Sequence, residues 1–315
     1  MDADFAEALS RCLDQIPRGR VATCGAIARA LGDVRAARAV ATWLAEHPDT
    51  PRCHRVVRAD GRPVLAGASR RLAEEHVRLQ RGRVDAGRVL GRLRGVDFLD
   101  RLRDEQVRLA AQVKEADDPG PIELVTGVDV AYDGDEMHAA AVSIEVRNLH
   151  AAEIAVVRGR VEFPYIPTYL AYREFPGIEA VVSRLSRRPD ALMIDGHGRL
   201  HPALFGVACH TGLRLDMRTI GIAKHPLAGN VGSASHGEDN AFPIEIEGKT
   251  RGYAWTPPGR AHPIYVSVGH RISLGSALAL IRRTTRHAYP EALRIADRIS
   301  KEIKRNEKRE KGATR

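Results

Sequence analysis

Apolar residues recur with two different periods along the chain, and the change of period separates two regions. In the first 85 residues apolar positions such as Phe5 and Leu9 stand at helical spacing. Two short helices are predicted next, over 23–31 and 36–46, and a turn containing Gly32 joins them. This pattern is typical of a helix-turn-helix, whose second helix enters a DNA groove, although a plain helical hairpin has the same signature.

The region after residue 120 alternates strands with helices. Three strands that form antiparallel hairpins come first, and single helices then alternate with single strands. The apolar run at 191–194 needs cover on both faces, as in the centre of an α/β sheet. This order is that of an RNase H-like mixed sheet with flanking helices. The predicted strands are 122–132, 137–146, 152–163, 191–195, 219–224 and 263–268, and the predicted helices are 98–113, 169–187, 202–215 and a stretch from Ser273.

Composition shifts predict the domain limits. A small, mainly helical domain of winged helix-turn-helix type takes residues 1–85, and a Gly- and Arg-rich linker takes 86–94. The α/β domain takes 95–300. The last stretch, 301–315, is dense in Lys, Glu and Arg and is predicted to be a basic tail.

Three carboxylates fall at positions where α/β sheets carry their chemistry. Asp129 interrupts the apolar first strand, Glu174 lies on the first helix after the hairpins, and Asp195 ends the strand 191–195. In an RNase H-like sheet these two strands are neighbours and the helix packs across them, so the three carboxylates converge. Their mutual repulsion calls for a hard divalent cation, Mg²⁺ or Mn²⁺, and such a site hydrolyses phosphodiesters.

Two cationic or titratable residues are predicted to join this site. Lys224 ends the strand 219–224 at the same sheet edge, where it can hold a phosphate. His270 follows the late strand and Gly269, and is predicted to be a metal neighbour or a proton donor.

Charge and cysteine content indicate which kind of partner the protein binds and in which cellular compartment it works. The net charge of +9 and the pI near 9.7 favour a polyanionic partner. Four scattered cysteines favour neither a disulfide framework nor a zinc site, which suits a cytoplasmic location. We expect no signal peptide and no membrane span, and we expect a monomer.

Five ordered motifs over 95–300 resemble endonuclease V. They are GVDVAY from Gly127, PYIP with YREFP from Pro164, IDGHGRLHP from Ile194, TIGIAK from Thr219 and PIYVSVGHRISL from Pro263. The resemblance implies a Mg²⁺-dependent repair nuclease for deaminated purines that nicks DNA at the second phosphodiester 3′ of deoxyinosine.

The same resemblance implies individual residue roles. Asp129, Glu174, Asp195 and His270 carry over as the metal site, and Lys224 as a catalytic phosphate contact. The PYIP residues Tyr165, Ile166 and Pro167 carry over as the wedge that separates strands, Gly198 and His201 as lesion-pocket residues, and Leu227 as the pocket cap. Thr168 stands where the family often has Gly.

The segment from Ile16 to Gly61 resembles the DNA-binding part of alkylguanine-DNA alkyltransferases and alkyltransferase-like proteins. The matching pieces are IPRGRVATCGAIARALG, AARAVATWL and CHRVVRADG. The resemblance implies that Cys53 accepts an alkyl group, that His54 relays its proton, and that Arg38 fills the gap left by a flipped base. Arg52 replaces the usual Pro, and Arg81 aligns with the Glu that orients the His.

Three functions remain open on sequence alone. The first is a two-part repair enzyme that cuts at deaminated bases and binds or repairs alkylated guanine. The second is a non-enzymatic sensor of alkylation lesions, in which the nuclease fold is silent. The third is an inosine-specific ribonuclease, because the sequence does not separate DNA from RNA as substrate.

Overall fold

The chain forms two compact units in a computed structural model that describes residues 4–231 and 240–313. Unit 1 comprises residues 1–104 together with the segment 162–169, and unit 2 comprises 105–161 and 170–315. None of the helices in the described residues has the length and apolar content that a membrane span requires.

Unit 1 is mainly helical, with two pairs of two-residue strands among its described residues. Thr23 caps the second helix by accepting a hydrogen bond from the Ala26 amide at 3.0 Å, and Gly32 ends it with a φ of 107° that favours glycine. The elements are α1 (Phe5–Leu13), β1 (Ala22–Thr23), α2 (Cys24–Leu31), α3 (Ala37–Glu46), β2 (Val56–Val57), α4 (Ala68–Glu74), β3 (Leu79–Gln80), β4 (Arg83–Val84) and α5 (Phe98–Ala110), which continues into unit 2.

The stretch 86–94 belongs to the body of unit 1, and its prediction as a linker is wrong. The Val21 amide donates to the Arg88 carbonyl at 3.1 Å, and the Leu90 amide donates to the Val21 carbonyl at 2.8 Å. Val89 packs against the cluster around Val57 and Leu72. Backbone pairing and apolar contact therefore hold a stretch whose Gly and Arg content suggested a free connection.

Unit 2 is built on a mixed sheet, as the sequence predicts, and this sheet has nine strands among the described residues. The described elements are β5 (Leu124–Asp133), β6 (Glu136–Glu145), β7 (Ala151–Arg160), α6 (Leu170–Val182), β8 (Ala191–Asp195), α7 (Val207–Leu215), β9 (Thr219–Ala223), β10 (Asn230–Val231), β11 (Ala241–Ile246), β12 (Lys249–Trp255), β13 (Ile264–His270), α8 (Leu274–Thr284), β14 (Thr285–Arg286), β15 (Tyr289–Pro290) and α9 (Glu291–Ala313).

Strand order places β5 and β8 side by side. The order across the sheet is β10-β11-β12-β13-β9-β8-β5-β6-β7, with β5, β8 and β9 parallel and their outer neighbours antiparallel. One apolar core lies between the sheet and helices α8 and α9, and a second lies under α6 and α7. The predicted adjacency of the first and fourth strands of this domain is confirmed.

The C-terminal stretch, predicted to be a basic tail, is helical over residues 301–313. They continue α9, which packs its buried Leu293 and Ala296 on the sheet. Lys301 pairs with Asp297 one turn earlier at 2.7 Å, which supports a helix in a stretch rich in charge. Residues 314–315 lie outside the described residues.

Candidate active site

Strand register brings two aspartates to the same level of the sheet. Val128 of β5 pairs with Ile194 of β8, so Asp129 and Asp195 follow at adjacent positions on parallel strands. Side chains alternate between faces, and both aspartates share the face of Val125 and Met193, which pack in the core beneath α9. Each of these two aspartates therefore lies near the carboxyl end of an apolar strand.

A third aspartate, Asp297, comes from α9. One oxygen from each of Asp129, Asp195 and Asp297 lies within 4.8 Å of the others. The helix comes this close because β5 has Gly127 under it: a Cβ at residue 127 would lie 2.5 Å from the Ala292 carbonyl carbon and the Leu293 nitrogen. Sequence reasoning missed Asp297, although its position beside the buried Ala296 on an amphipathic helix was a usable signal.

Cationic and hydroxyl groups surround the three carboxylates. The Lys224 ammonium donates to Asp195 Oδ2 at 2.7 Å and to Asp297 Oδ1 at 3.1 Å. Ser300 Oγ donates to Asp129 Oδ2, which ties β5 to α9. Attraction to these two aspartates outweighs burial and raises the pKa of Lys224, so the side chain stays charged.

Burial and crowding make ionisation of two of these acids, Asp129 and Glu174, unfavourable, whereas Lys301 and Lys224 outweigh burial and lower the pKa of Asp297. Burial, with repulsion from Asp195 and Asp297, raises the pKa of Asp129 to about 6. Burial and the charges of Asp195 and Asp129 likewise raise the pKa of Glu174 well above its usual range. Glu174, on α6, interacts with the charges of Asp195 and Asp129 but does not belong to the group of three aspartates whose oxygens lie within 4.8 Å of one another. An all-oxygen, electron-rich donor set of this kind fits a hard divalent cation.

His270 lies at the other end of the sheet, and its prediction as part of the metal site is wrong. It pairs with Thr219 at the start of β9, whereas Asp195 pairs with Ile222 near the end of that strand. Its Nδ1 accepts a hydrogen bond from the Lys114 amide at 3.1 Å. The antiparallel direction of β13 explains the error, because the end of β13 meets the beginning of β9.

Unit 1 carries its own cluster of chemical groups. Cys53 is fully buried and its thiol donates to the Pro48 carbonyl at 3.1 Å. The His54 ring, through Nε2, lies 3.0 Å from Glu75 Oε1, and Arg55 pairs with the same carboxylate at 2.7 Å. Glu75 thus makes the contact with His54 that the resemblance had placed near Arg81, because the end of α4 returns close to the loop after α3.

Comparison with known proteins settles the family. A profile described as endonuclease V matches residues 106–298. The chain belongs to the endonuclease V family. It is 41% identical over 201 residues to the endonuclease V of Thermofilum pendens, a match that covers 63% of this chain and 85% of that protein. The predicted endonuclease is therefore confirmed at the level of the family.

Solved structures agree with this assignment. The endonuclease V of Streptomyces avermitilis superposes with a TM-score of 0.61 at 34% identity, covering 66% of this chain and 94% of that one. The Ciona intestinalis enzyme shares the fold, with a TM-score of 0.59 at 23% identity over 66% of this chain and 98% of that one. Residues 4–84 match the DNA-binding domain of 6-O-methylguanine DNA methyltransferase.

The residues that resemble the endonuclease V lesion pocket lie in unit 2. Gly198 is needed for packing, because a Cβ there would lie 2.0 Å from the Val268 carbonyl oxygen. His201 is buried and its Nδ1 accepts from the Ala203 amide at 3.1 Å. Leu227 is exposed. Gly198 and His201 therefore have structural roles of their own, and Leu227 is available for contact.

The PYIP segment lies in unit 1, although the endonuclease V profile includes it. Tyr165 is 61% exposed and Pro167 is exposed too, whereas Ile166 is completely buried. Ile166 cannot contact DNA, so its prediction as a DNA-binding residue is wrong; it anchors the segment instead. Thr168 has a φ of 72°, in the left-handed region that favours the Gly of other family members.

Proposed function

We propose that this protein nicks inosine-containing DNA by divalent-cation-dependent hydrolysis, at the second phosphodiester 3′ of the lesion. The observation that carries the proposal is the convergence of Asp129, Asp195 and Asp297 beside Lys224 in a chain of this family. The Ciona relative is described in complex with a 24mer DNA that contains an inosine followed by a ribo-adenosine.

The three aspartates would hold the cation, and Mg²⁺ with Mn²⁺ as a substitute suits their oxygen donors. When bound, the cation polarises the scissile phosphate and lowers the pKa of an attacking water. Ser300 orients the Asp129 carboxylate through its hydrogen bond. Lys224 supplies a fixed positive charge at the same edge, where it can donate to a phosphate oxygen as negative charge develops.

Glu174 completes the acidic set from α6. Its raised pKa means that it keeps a proton to a higher pH than an exposed glutamate. A cation nearby would offset the repulsion and favour its ionised form, so that Glu174 would add a further carboxylate to the site.

The lesion-side contacts are a second part of the proposal. We assign Tyr165 and Pro167 to contact with DNA beside the lesion, because both are exposed on a segment held by buried neighbours. Leu227 caps the displaced base, and His201 and Gly198 shape the wall beneath it. An exposed tyrosine is a suitable stacking surface for a neighbouring base.

A nicking assay tests the nuclease proposal. We expect cleavage of an inosine-containing duplex with Mg²⁺, none with a chelator, and none by Asp195→Ala, while Asp135→Asn in the exposed β5–β6 turn retains activity. Sequencing gels give the position of the nick. A matched inosine RNA strand tests the ribonuclease alternative, and a non-enzymatic sensor would nick neither nucleic acid.

We further propose that unit 1 binds alkylated guanine in DNA and that Cys53 accepts the alkyl group. Burial raises the pKa of Cys53, so the thiol needs a base before it can act as a nucleophile. The neighbouring His54, whose Nε2 lies 3.0 Å from Glu75 Oε1, would take that proton. The sulfur then forms a bond to the alkyl carbon, the bond from that carbon to guanine O6 breaks, and guanine leaves with a proton. Exposed Arg38 on α3 faces the solvent for DNA contact.

Mass spectrometry tests this second activity. After incubation with O6-methylguanine DNA, we expect the Cys53 peptide to gain one methyl group in the wild type and in Cys24→Ser. Glu75→Gln should slow the gain, because it weakens the hold on His54. If the protein binds the damaged DNA but the Cys53 peptide stays unmodified, unit 1 binds the lesion without accepting the alkyl group.

A further inference from the structure

A short segment between two elements of the nuclease folds into the DNA-binding unit. Residues 162–169 follow β7 and directly precede α6, the helix that carries Glu174, yet they pack with unit 1. The Phe163 ring lies 6.0 Å from that of Phe5 and 6.3 Å from that of Phe98, measured between centroids. Aromatic contacts with α1 and α5 thus fix the start of the segment.

Tyr169 fixes the end of the segment to the turn before α3. It is completely buried, and its hydroxyl lies 3.2 Å from both Asp33 Oδ2 and the Leu99 carbonyl oxygen, so it can donate to either. Asp33 accepts hydrogen bonds from the Arg35 amide at 2.9 Å and from the Arg35 guanidinium at 2.6 Å. One buried carboxylate therefore connects the segment with the entry to the predicted recognition helix.

The charge of Asp33 makes this contact stronger than an ordinary hydrogen bond. Although burial opposes ionisation, the hydrogen bonds from Arg35 and Tyr169 lower the pKa of Asp33. A hydrogen bond from a neutral donor to an ionised carboxylate is about twice as strong as one between neutral groups. Thr168, which stands where the resemblance implies a Gly, lies immediately before Tyr169 in a left-handed conformation with a φ of 72°.

Between these two anchors the segment presents an exposed aromatic ring. Tyr165 stands between the buried Pro164 and Ile166, and two prolines restrict the backbone around it. The same unit presents the exposed Arg38 on α3. An aromatic side chain on a rigid support can insert beside an unstacked base without a large loss of conformational entropy.

We propose that the Tyr169–Asp33 hydrogen bond is a positioning contact, through which the helix-turn-helix holds Tyr165 in place while duplex DNA is opened for cleavage. This inference rests on the proposed nuclease function and adds a role for unit 1 in it. Tyr169 and Asp33 touch neither the substrate nor the reacting atoms. The inferred substrate is an inosine-containing duplex, since a single strand needs no opening.

Paired substrates separate this role from a general structural one. Tyr169→Phe removes one hydroxyl and keeps the buried ring. We expect its single-turnover nicking of an inosine duplex to fall about tenfold, the order for a lost hydrogen bond to a charged group. Nicking of the same inosine strand without its complement should be unchanged. Tyr172→Phe, which removes a hydroxyl bonded to Glu105 at 3.1 Å within unit 2, is the matched control and should act as wild type on both substrates.

A fluorescent base analogue beside the inosine gives a second readout. Tyr169→Phe should give less unstacking of the analogue on duplex binding than the wild type does. Equal loss of nicking on duplex and single strand would overturn the inference, because it would mean a general disturbance of α6. Unchanged duplex nicking by Tyr169→Phe, alongside slow nicking by Tyr165→Ala, would also overturn it and leave the proposed function intact. Failure of the wild type to nick either inosine substrate would instead refute the proposed function itself.

Discussion

At the scale of single residues, the active site concentrates negative charge that the protein alone does not neutralise. Lys224 pairs with Asp195 and Asp297, and Ser300 bonds Asp129, but burial still raises the pKa of Asp129 to about 6. Because the native state holds this proton more tightly than the unfolded chain, the free energy of unfolding falls as the pH rises from about 4 through 6.

Asp129→Asn should therefore stabilise the metal-free protein at neutral pH. We expect its free energy of unfolding at pH 7.5, measured by urea denaturation with chelator, to rise by up to about 3 kcal/mol, since each pKa unit corresponds to about 1.4 kcal/mol. At pH 4 the difference should vanish, because Asp129 is then protonated in the native state. Asp133→Asn on the same strand is the control. Destabilisation of equal size at both pH values would contradict the assigned charge.

A second residue-scale prediction concerns Arg52, which stands where alkyltransferases usually have Pro. Its φ of 61° cannot be adopted by proline, whose ring fixes φ near −65°. Arg52→Pro should therefore lower the free energy of unfolding of unit 1 by more than about 1 kcal/mol, although it restores the common family residue. Arg52→Gly removes the same ion pair with Asp14 and allows the backbone conformation, so it should be the milder change. Equal unfolding temperatures for the two variants would contradict this.

At the scale of elements, the site depends on how closely α9 approaches β5. Gly127 leaves room for the backbone of α9 at Ala292 and Leu293. Gly127→Ala should push the helix and its Asp297 outward. We expect a loss of nicking rate of at least about tenfold, because small misplacements of catalytic groups have large effects on rate. Gly275→Ala on α8, where a Cβ meets nothing within 4 Å, should retain full activity. Equal activity of the two variants would show that the helix position is not critical.

Elements with strong local patterns were predictable, and those fixed by distant contacts were not. The apolar runs of β5, β8 and β9 identified the strands, and the element order identified their adjacency. Asp297 was missed because the amphipathic pattern of α9 places it beside the buried Ala296 but does not say which strand the helix covers. His270 was placed at the wrong edge of the sheet because β13 runs antiparallel to β9. The end of β13, where His270 lies, therefore stands beside the start of β9. The assignment of 162–169 to unit 1 depends on buried aromatic contacts across more than 100 residues of chain.

At the scale of the whole molecule, positive charge is concentrated in the DNA-binding part. Residues 1–104 contain 20 arginines against 14 acidic residues and no lysine. Guanidinium groups suit phosphate contacts because of their planar, bidentate geometry. We expect affinity for undamaged duplex DNA to fall steeply with salt, and Arg38→Ala to reduce the slope of log affinity against log salt by about 1. An unchanged slope would remove Arg38 from the phosphate contacts.

We propose that Asp129, Asp195 and Asp297 share one divalent cation that drives cleavage. The most direct test is the rate of nicking of an inosine-containing duplex as a function of Mg²⁺ concentration, for the wild type and Asp297→Asn. We expect no nicking without the cation. The Mg²⁺ concentration at half-maximal rate should be at least about tenfold higher for Asp297→Asn than for the wild type, the order expected when one interaction at a metal site is lost. Nicking that persists in chelator, or an Asp297→Asn midpoint equal to that of the wild type, would contradict it.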